Sequence, residues 1–151
     1  MTKPFGWAFV GAGGIARSVA KRIFPSGRHK LVSVYNRTLS RAVELAEKYG
    51  ATAYESLEEA VTADGVDGVY VNVTNNVHFE YAVKALECGK PVLLEKPMVT
   101  RAEQLERLME VAKERDVYLA EAMWTWYSDQ AIGVRELVSG GELGKVRHAE
   151  I

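Results

Sequence analysis

The sequence predicts an α/β fold: a doubly wound, mainly parallel sheet of about six strands with helices on both faces. Three observations carry that prediction. Short apolar runs alternate with amphipathic stretches along the chain, the signature of strand–helix–strand crossovers. The first apolar run breaks into a glycine cluster that opens a helix. The chain's 151 residues suffice for one domain with a real core, because a chain of this size buries roughly 68–70% of the surface it exposes when unfolded.

Residues 7–10 read as the first strand, ending at Gly11. A helix follows over 14–24, with Ile15, Val19 and Ile23 on one face, until Pro25 and Gly27 stop it. Residues 31–35 are the second strand. Ala42, Leu45, Ala46 and Tyr49 then recur at i, i+3, i+4 and i+7, the stripe of a helix packed on one side. Gly50 stands where a helix end favours a left-handed residue. Residues 52–54 make a short third strand, and Ser56 with Glu59 forms a capping box that opens a brief helix. Residues 69–73 are a fourth strand, apolar except for Asn72, and a helix over 77–88 closes at Gly89 and Pro91. Residues 91–94 form strand five. Thr100 with Glu103 reads as a second capping box, ahead of Leu105, Leu108, Met109 and Ala112 at helical spacing. Strand six is expected over 117–120 and a last helix over 128–139, broken by Gly140, Gly141 and Gly144. Residues 145–151 look like one further strand beginning. The expected organisation is therefore one α/β domain over 1–144, with 145–151 starting a second, absent domain.

The totals exclude several partners. Lys plus Arg number 19 and Asp plus Glu 20, a net charge of −1, whereas a nucleic-acid binder carries a basic excess or stripe. No apolar stretch reaches the ~18 residues of a membrane span. The apolar start at residues 5–16 imitates a signal peptide, but its glycines and the amphipathic helix after them argue against one. Cys88 stands alone, which excludes an internal disulfide framework and fits a reducing, cytoplasmic compartment. His29, His78 and His148 lack metal-ligand spacing, so no metal site is expected.

Chemistry concentrates at the ends of the strands, where open α/β sheets bind ligands. Strand one runs into GAGGIA, that is Gly11, Ala12, Gly13, Gly14, Ile15 and Ala16. This matches G-x-G-x-x-A between a strand and a helix. The first glycine permits the turn, the second lets a pyrophosphate approach, and small Ala16 lets the helix pack against the strand. Free N–H groups and the positive helix end then hold the phosphates. The bland alternative is a glycine turn needed only for packing. Twenty positions beyond Ala16, where an NAD site usually carries Asp or Glu, stand Asn36 and Arg37. No carboxylate is there to repel a 2′-phosphate, and a guanidinium can pair with one. The expected cofactor is NADP, with NAD possible if Arg37 is only a solvated loop residue.

Strand four ends in Thr74, Asn75, Asn76 and His78, strand five in Glu95, Lys96 and Pro97, and strand six in EAMWTWYSD, with Glu121, Trp124, Trp126 and Tyr127. All three would converge on the nicotinamide end of a cofactor anchored at Gly13. Lys96 is the candidate general acid or base, made usable by partial burial. Glu95 could hold ribose hydroxyls, and Pro97 restricts the backbone of Lys96. Taken alone, the three are also an ordinary surface charge pair before a turn. Of the alternating Trp124 and Trp126, one is expected in the core and the other at the site.

These motifs together resemble the glucose-fructose oxidoreductase, inositol dehydrogenase and rhizopine-catabolism (Gfo/Idh/MocA) family. The resemblance rests on GAGGIA, the TNNxH segment and HFEYAVKALECGKPVLLEKPM, with AEAMWTWYSD most like the branch of dihydrodiol dehydrogenases and sugar oxidoreductases. It implies a Rossmann fold and NAD(P)-dependent hydride transfer to or from a sugar, polyol or cyclic diol. It also implies that Lys96 is the motif lysine near the substrate hydroxyl, that Glu95 and Pro97 line the cofactor site, and that Trp124 lies near the nicotinamide. Family members carry a second, antiparallel domain that completes the substrate pocket. Two expectations stay open: the cofactor half of an enzyme, or a free-standing dinucleotide-binding module without turnover. A surface left bare by a missing domain is further expected to self-associate into a homo-oligomer.

Overall fold

A computed structural model describes residues 3–150. Six strands form one sheet: β1 Phe5–Val10, β2 His29–Tyr35, β3 Thr52–Tyr54, β4 Gly68–Val71, β5 Val92–Leu94 and β6 Leu119–Glu121. Six helices alternate with or follow them: α1 Gly14–Ile23, α2 Leu39–Tyr49, α3 Leu57–Thr62, α4 His78–Glu87, α5 Ala102–Glu114 and α6 Asp129–Ser139. The strand order is β3-β2-β1-β4-β5-β6, and every neighbouring pair is parallel. The order reverses between β1 and β4, the switch point at which a doubly wound sheet opens a crevice.

Side chains alternate across the strands and so build two cores. Ala8, Val10, Val69, Val71, Val92 and Leu94 face α3, α4 and α5, meeting Leu57, Val61, Leu86, Leu108 and Val111. Phe9, Leu31, Val34 and Tyr70 face the other way, onto Ala16 and Ala20 of α1 and Ala42, Leu45 and Ala46 of α2. Each large apolar side chain fully buried in these layers contributes about 1.5–3 kcal/mol.

Several expectations shift against this architecture. The fully buried residues of α1 are Ala16 and Ala20; Val19 and Ile23 pack half-buried against the same core as expected, and Ile15 does not. Only small residues fit where this helix lies close against the sheet, and Ile15 is left 51% exposed. In α5 the buried residues are Leu108, Val111 and Ala112, while Leu105 and Met109 face outward. The second capping box does not form. α5 starts at Ala102, so Arg101 is its cap, without a side-chain hydrogen bond. Thr100 sits one residue too early, its hydroxyl 3.5 Å from Gln104 Oε1. At α3 the cap is real: Ser56 Oγ accepts from the Glu59 amide at 3.3 Å. Residues 145–150 form no strand; Ile151 lies outside the described residues.

α6 buries none of its residues. Val134, Leu137 and Val138 on it are exposed, as are Trp124 at 72% and Trp126 at 56%. Both tryptophans lie in a 3-10 turn, Trp124–Tyr127, so the expected core tryptophan is absent. No described helix is long and apolar enough to cross a membrane.

Candidate functional site

Two cavities open at the switch point and share Ile15. The first has a volume of about 340 Å³ and runs along the glycine turn to the ends of β2 and β4. The turn is held by its own strand neighbours. The Gly11 amide donates to the Tyr35 carbonyl at 2.8 Å, and Asn36 Oδ1 accepts from the Ala12 amide at 3.3 Å while its Nδ2 donates to the Thr38 carbonyl at 2.9 Å. Asn36 thereby ties the end of β2 to the turn.

The three glycines are not alike. Gly11 has φ +114°, and a Cβ there would lie 2.5 Å from Asn72 Oδ1, so the fold itself forbids a side chain. At Gly13 and Gly14 a Cβ would meet nothing within 4 Å. Protein packing does not call for glycine at either position. Their bare backbone suits a group arriving from outside, and α1 begins there with no side-chain cap and no acidic residue in its first turn. The N–H groups of that turn are thus available to an anion.

The rest of the cavity carries positive charge. Arg37, Thr38 and Arg41 line it, with Thr74, Asn76 and Tyr81 opposite, and no carboxylate is among its lining residues. Arg37 and Arg41 enter no salt bridge with described residues, whereas Arg17 of α1 is taken up by Glu44 at 2.8 Å. Tyr81 packs its ring 5.8 Å from Tyr35, and burial, helped by Tyr35, pushes its phenol up to about 12. Tyr81 therefore offers a neutral hydroxyl. Asn72 Oδ1 is buried without a hydrogen-bond partner at the base of the turn.

The second cavity, about 450 Å³, lies beyond α1 over the open face of β4–β6. Tyr70 and Leu93 lie in its floor, Glu95, Lys96 and Glu121 supply charge, and Trp124 and Tyr127 stand on its outer wall. Glu95 is fixed from two sides: Tyr70 Oη donates to Oε1 at 2.5 Å and the Lys96 amide to Oε2 at 3.2 Å. Burial, with that hydrogen bond, holds the Tyr70 phenol well above its usual range. Glu121 Oε1 accepts from the Met98 amide at 2.8 Å, and the Lys96–Pro97 peptide bond is cis. Lys96 itself is exposed, so these residues do not supply the partial burial expected of it.

Of the expected site residues, Gly11, Gly13, Gly14, Ile15, Asn36, Arg37 and Thr74 line the first cavity, and Glu95, Lys96 and Trp124 the second. Ala16 is buried behind the turn. Asn75 lines neither cavity; Asn76 takes that place. Pro97 also lines neither. His78 is a correction: its ring is 0% exposed and stands behind the strand ends, both nitrogens already turned on backbone carbonyls, so it cannot touch a cofactor. Sequence reasoning missed Tyr70 and Tyr81, which read there as ordinary members of a strand and a helix.

The profile of the Gfo/Idh/MocA family, described as an oxidoreductase family with an NAD-binding Rossmann fold, matches residues 5–123. The chain belongs to this family. It is 36% identical to a D-xylose 1-dehydrogenase (NADP(+)) of Hypocrea jecorina, over 93% of this chain and 39% of that protein. It is 31% identical to a trans-1,2-dihydrobenzene-1,2-diol dehydrogenase of Danio rerio, over 93% and 43%. Among solved structures, GenD2 from gentamicin A biosynthesis in complex with NAD superposes with a TM-score of 0.86 at 30% identity, covering 94% of this chain and 41% of that one. This member of the family therefore spans about 40% of the length of the relatives it matches.

Proposed function

We propose that this chain is the cofactor-binding part of an NADP-dependent oxidoreductase that moves a hydride between nicotinamide and a sugar, polyol or cyclic diol. One observation carries the reading. A glycine turn with two residues free of any packing demand stands between a carboxylate-free cavity bearing two arginines and a cavity bearing Lys96. The likeness to an NADP-dependent xylose dehydrogenase and to dihydrodiol dehydrogenases supports the substrate class.

The residues divide the work. The amides at Gly13, Gly14 and Ile15 hold the pyrophosphate at the positive end of α1. Arg37 and Arg41 pair with the 2′-phosphate in charge-assisted hydrogen bonds, which favours NADP over NAD. When bound, the nicotinamide supplies the hydride-donating or hydride-accepting carbon. Glu95, held by Tyr70, accepts from ribose hydroxyls, and Trp124 covers the ring. Lys96 Nζ hands a proton to the substrate oxygen in reduction and takes one from the hydroxyl in oxidation. A second domain, beginning near residue 145, closes the Lys96 cavity and covers Trp124, Trp126 and α6; left bare, that face joins copies of the chain. Free Cys88 supports a reducing, cytoplasmic setting.

A second reading is a module that binds the dinucleotide without turnover. The exposure of Lys96 and the bare outer wall at Trp124 favour it for the chain by itself. A turnover screen over aldoses, polyols and dihydrodiols with NADPH and NADP separates the two. The enzyme reading expects activity that Lys96→Met lowers about 10²–10⁴-fold while cofactor affinity stays within about threefold. Activity that survives Lys96→Met would overturn the role given to Lys96.

A further inference from the structure

His78 is the only histidine among the described residues that is fully buried, and nothing in the cofactor reading uses it. It is the first residue of α4, after the 3-10 turn Asn75–Val77. Its Nε2 lies 3.0 Å from the Val73 carbonyl oxygen and its Nδ1 2.9 Å from the Pro97 carbonyl oxygen. The two carbonyls belong to different strand ends. Val73 starts the segment that brings Thr74 and Asn76 to the first cavity, and Pro97 directly follows Lys96 in the second. A carbonyl oxygen only accepts, and a neutral imidazole carries a single N–H, so the uncharged ring donates to one of these two carbonyls and merely abuts the other.

The other bonds around Lys96 leave a specific gap. Glu95 is tied to Tyr70 and Met98 to Glu121, and the Glu95 amide donates to the Val71 carbonyl at 2.9 Å. Pro97 has no amide to donate, so its carbonyl is its one polar handle. His78 takes that handle. The ring is fully buried and its far side abuts the Val73 carbonyl, so it fixes where the Lys96 turn sits relative to the rim of the phosphate cavity.

We propose that His78 is a positioning residue for Lys96: its Nδ1–H holds the Pro97 carbonyl and locks the lysine turn to the strand end that borders the phosphate cavity. The proposal rests on the cofactor reading for the meaning of Lys96, but its geometry is tested without any cofactor. In ¹H–¹⁵N spectra of the chain labelled in its histidine rings, His78 Nδ1 carries a directly bonded proton that exchanges slowly with water. A bare Nδ1 overturns the proposal outright, since the Pro97 bond could not then exist.

Two substitutions separate positioning from simple core filling. His78→Asn keeps an amide donor near the place of Nδ1, and His78→Gln keeps one near the place of Nε2. The Lys96 and Met98 amide resonances of the chain stay put in His78→Asn and move in His78→Gln. Equal movement of the Lys96 and Met98 resonances in both variants overturns the proposal; should either variant fail to fold, the Nδ1 measurement on the unaltered chain still decides. With NADPH added to the unaltered chain, Gly13 and Gly14 shift if the cofactor reading holds. Silence there sinks that reading alone, leaving the Nδ1 result to stand or fall by itself.

Discussion

The two cavities differ in how completely this chain builds them. Around the glycine turn the frame has internal support: Gly11 is wedged against Asn72, Asn36 braces Ala12, and Tyr81 packs tilted against Tyr35. Around Lys96 the inner side is equally well braced, by Tyr70, Glu121 and His78. The outer side is not: Lys96 is exposed, and Trp124 and Tyr127 are 72% and 70% exposed. A grip on the dinucleotide needs only backbone amides and two guanidinium groups, which one domain can set out. Hydride transfer also needs water kept away from the reacting atoms, and these residues alone leave that side open. On the proposed function, the difference teaches that dinucleotide binding and hydride chemistry are separable.

Substitutions at the turn break the comparison most strongly. Gly11→Val places a branched side chain at φ +114° and against Asn72. It should cost about 3 kcal/mol or more and lower Tm by on the order of 10 °C, measured by thermal unfolding. Gly13→Val meets nothing in the protein, so Tm should hold within about 2 °C, while dinucleotide binding falls beyond about 100-fold because a side chain replaces the approach path of the phosphates. Equal loss of stability in both variants would mean the turn is built for packing alone.

Next in size, Arg37→Ala and Arg41→Ala should each weaken NADPH binding by roughly 10–100-fold, the worth of a charge-assisted hydrogen bond to an ionised group. NADH binding should stay within about twofold, because it lacks the 2′-phosphate. Parallel losses for both cofactors would place the arginines on the shared pyrophosphate instead.

The smallest effect sharpens the inner side of the Lys96 cavity. Tyr70 has a raised folded-state pKa, so its contribution to stability is full below the unfolded value near 10 and fades as pH climbs above it. Wild type should therefore lose stability above about pH 10, and Tyr70→Phe should flatten that alkaline fall without steepening it. Tyr81, also raised, keeps part of the slope in the variant. Denaturant melts between neutral and alkaline pH check this.

The sequence made the sheet legible and the site only partly so. Strand–helix alternation located all six strands, and the G-x-G-x-x-A spacing marked the turn, because both depend on local pattern. Which face of a helix is buried depends on what lies opposite. Ile15 looked like core by spacing, yet Ala16 and Ala20 fill the narrow gap under α1. Trp124 and Trp126 alternate as a strand would, but a 3-10 turn sends both outward. Thr100 satisfied the capping pattern one residue before the helix began. Tyr70 escaped, and His78 was set at the cofactor instead of behind it, because their partners are a carboxylate 25 positions away and a carbonyl 19 positions away, which no short pattern encodes.

The most direct test of the central claim is a competition between NADPH and NADH for the chain, followed through the fluorescence of its tryptophans, of which Trp124 lines the Lys96 cavity. The account predicts saturable binding of both, with NADPH tighter by at least about tenfold, as one arginine–phosphate contact implies. Equal or stronger binding of NADH, or no response to either at millimolar concentration, would contradict it.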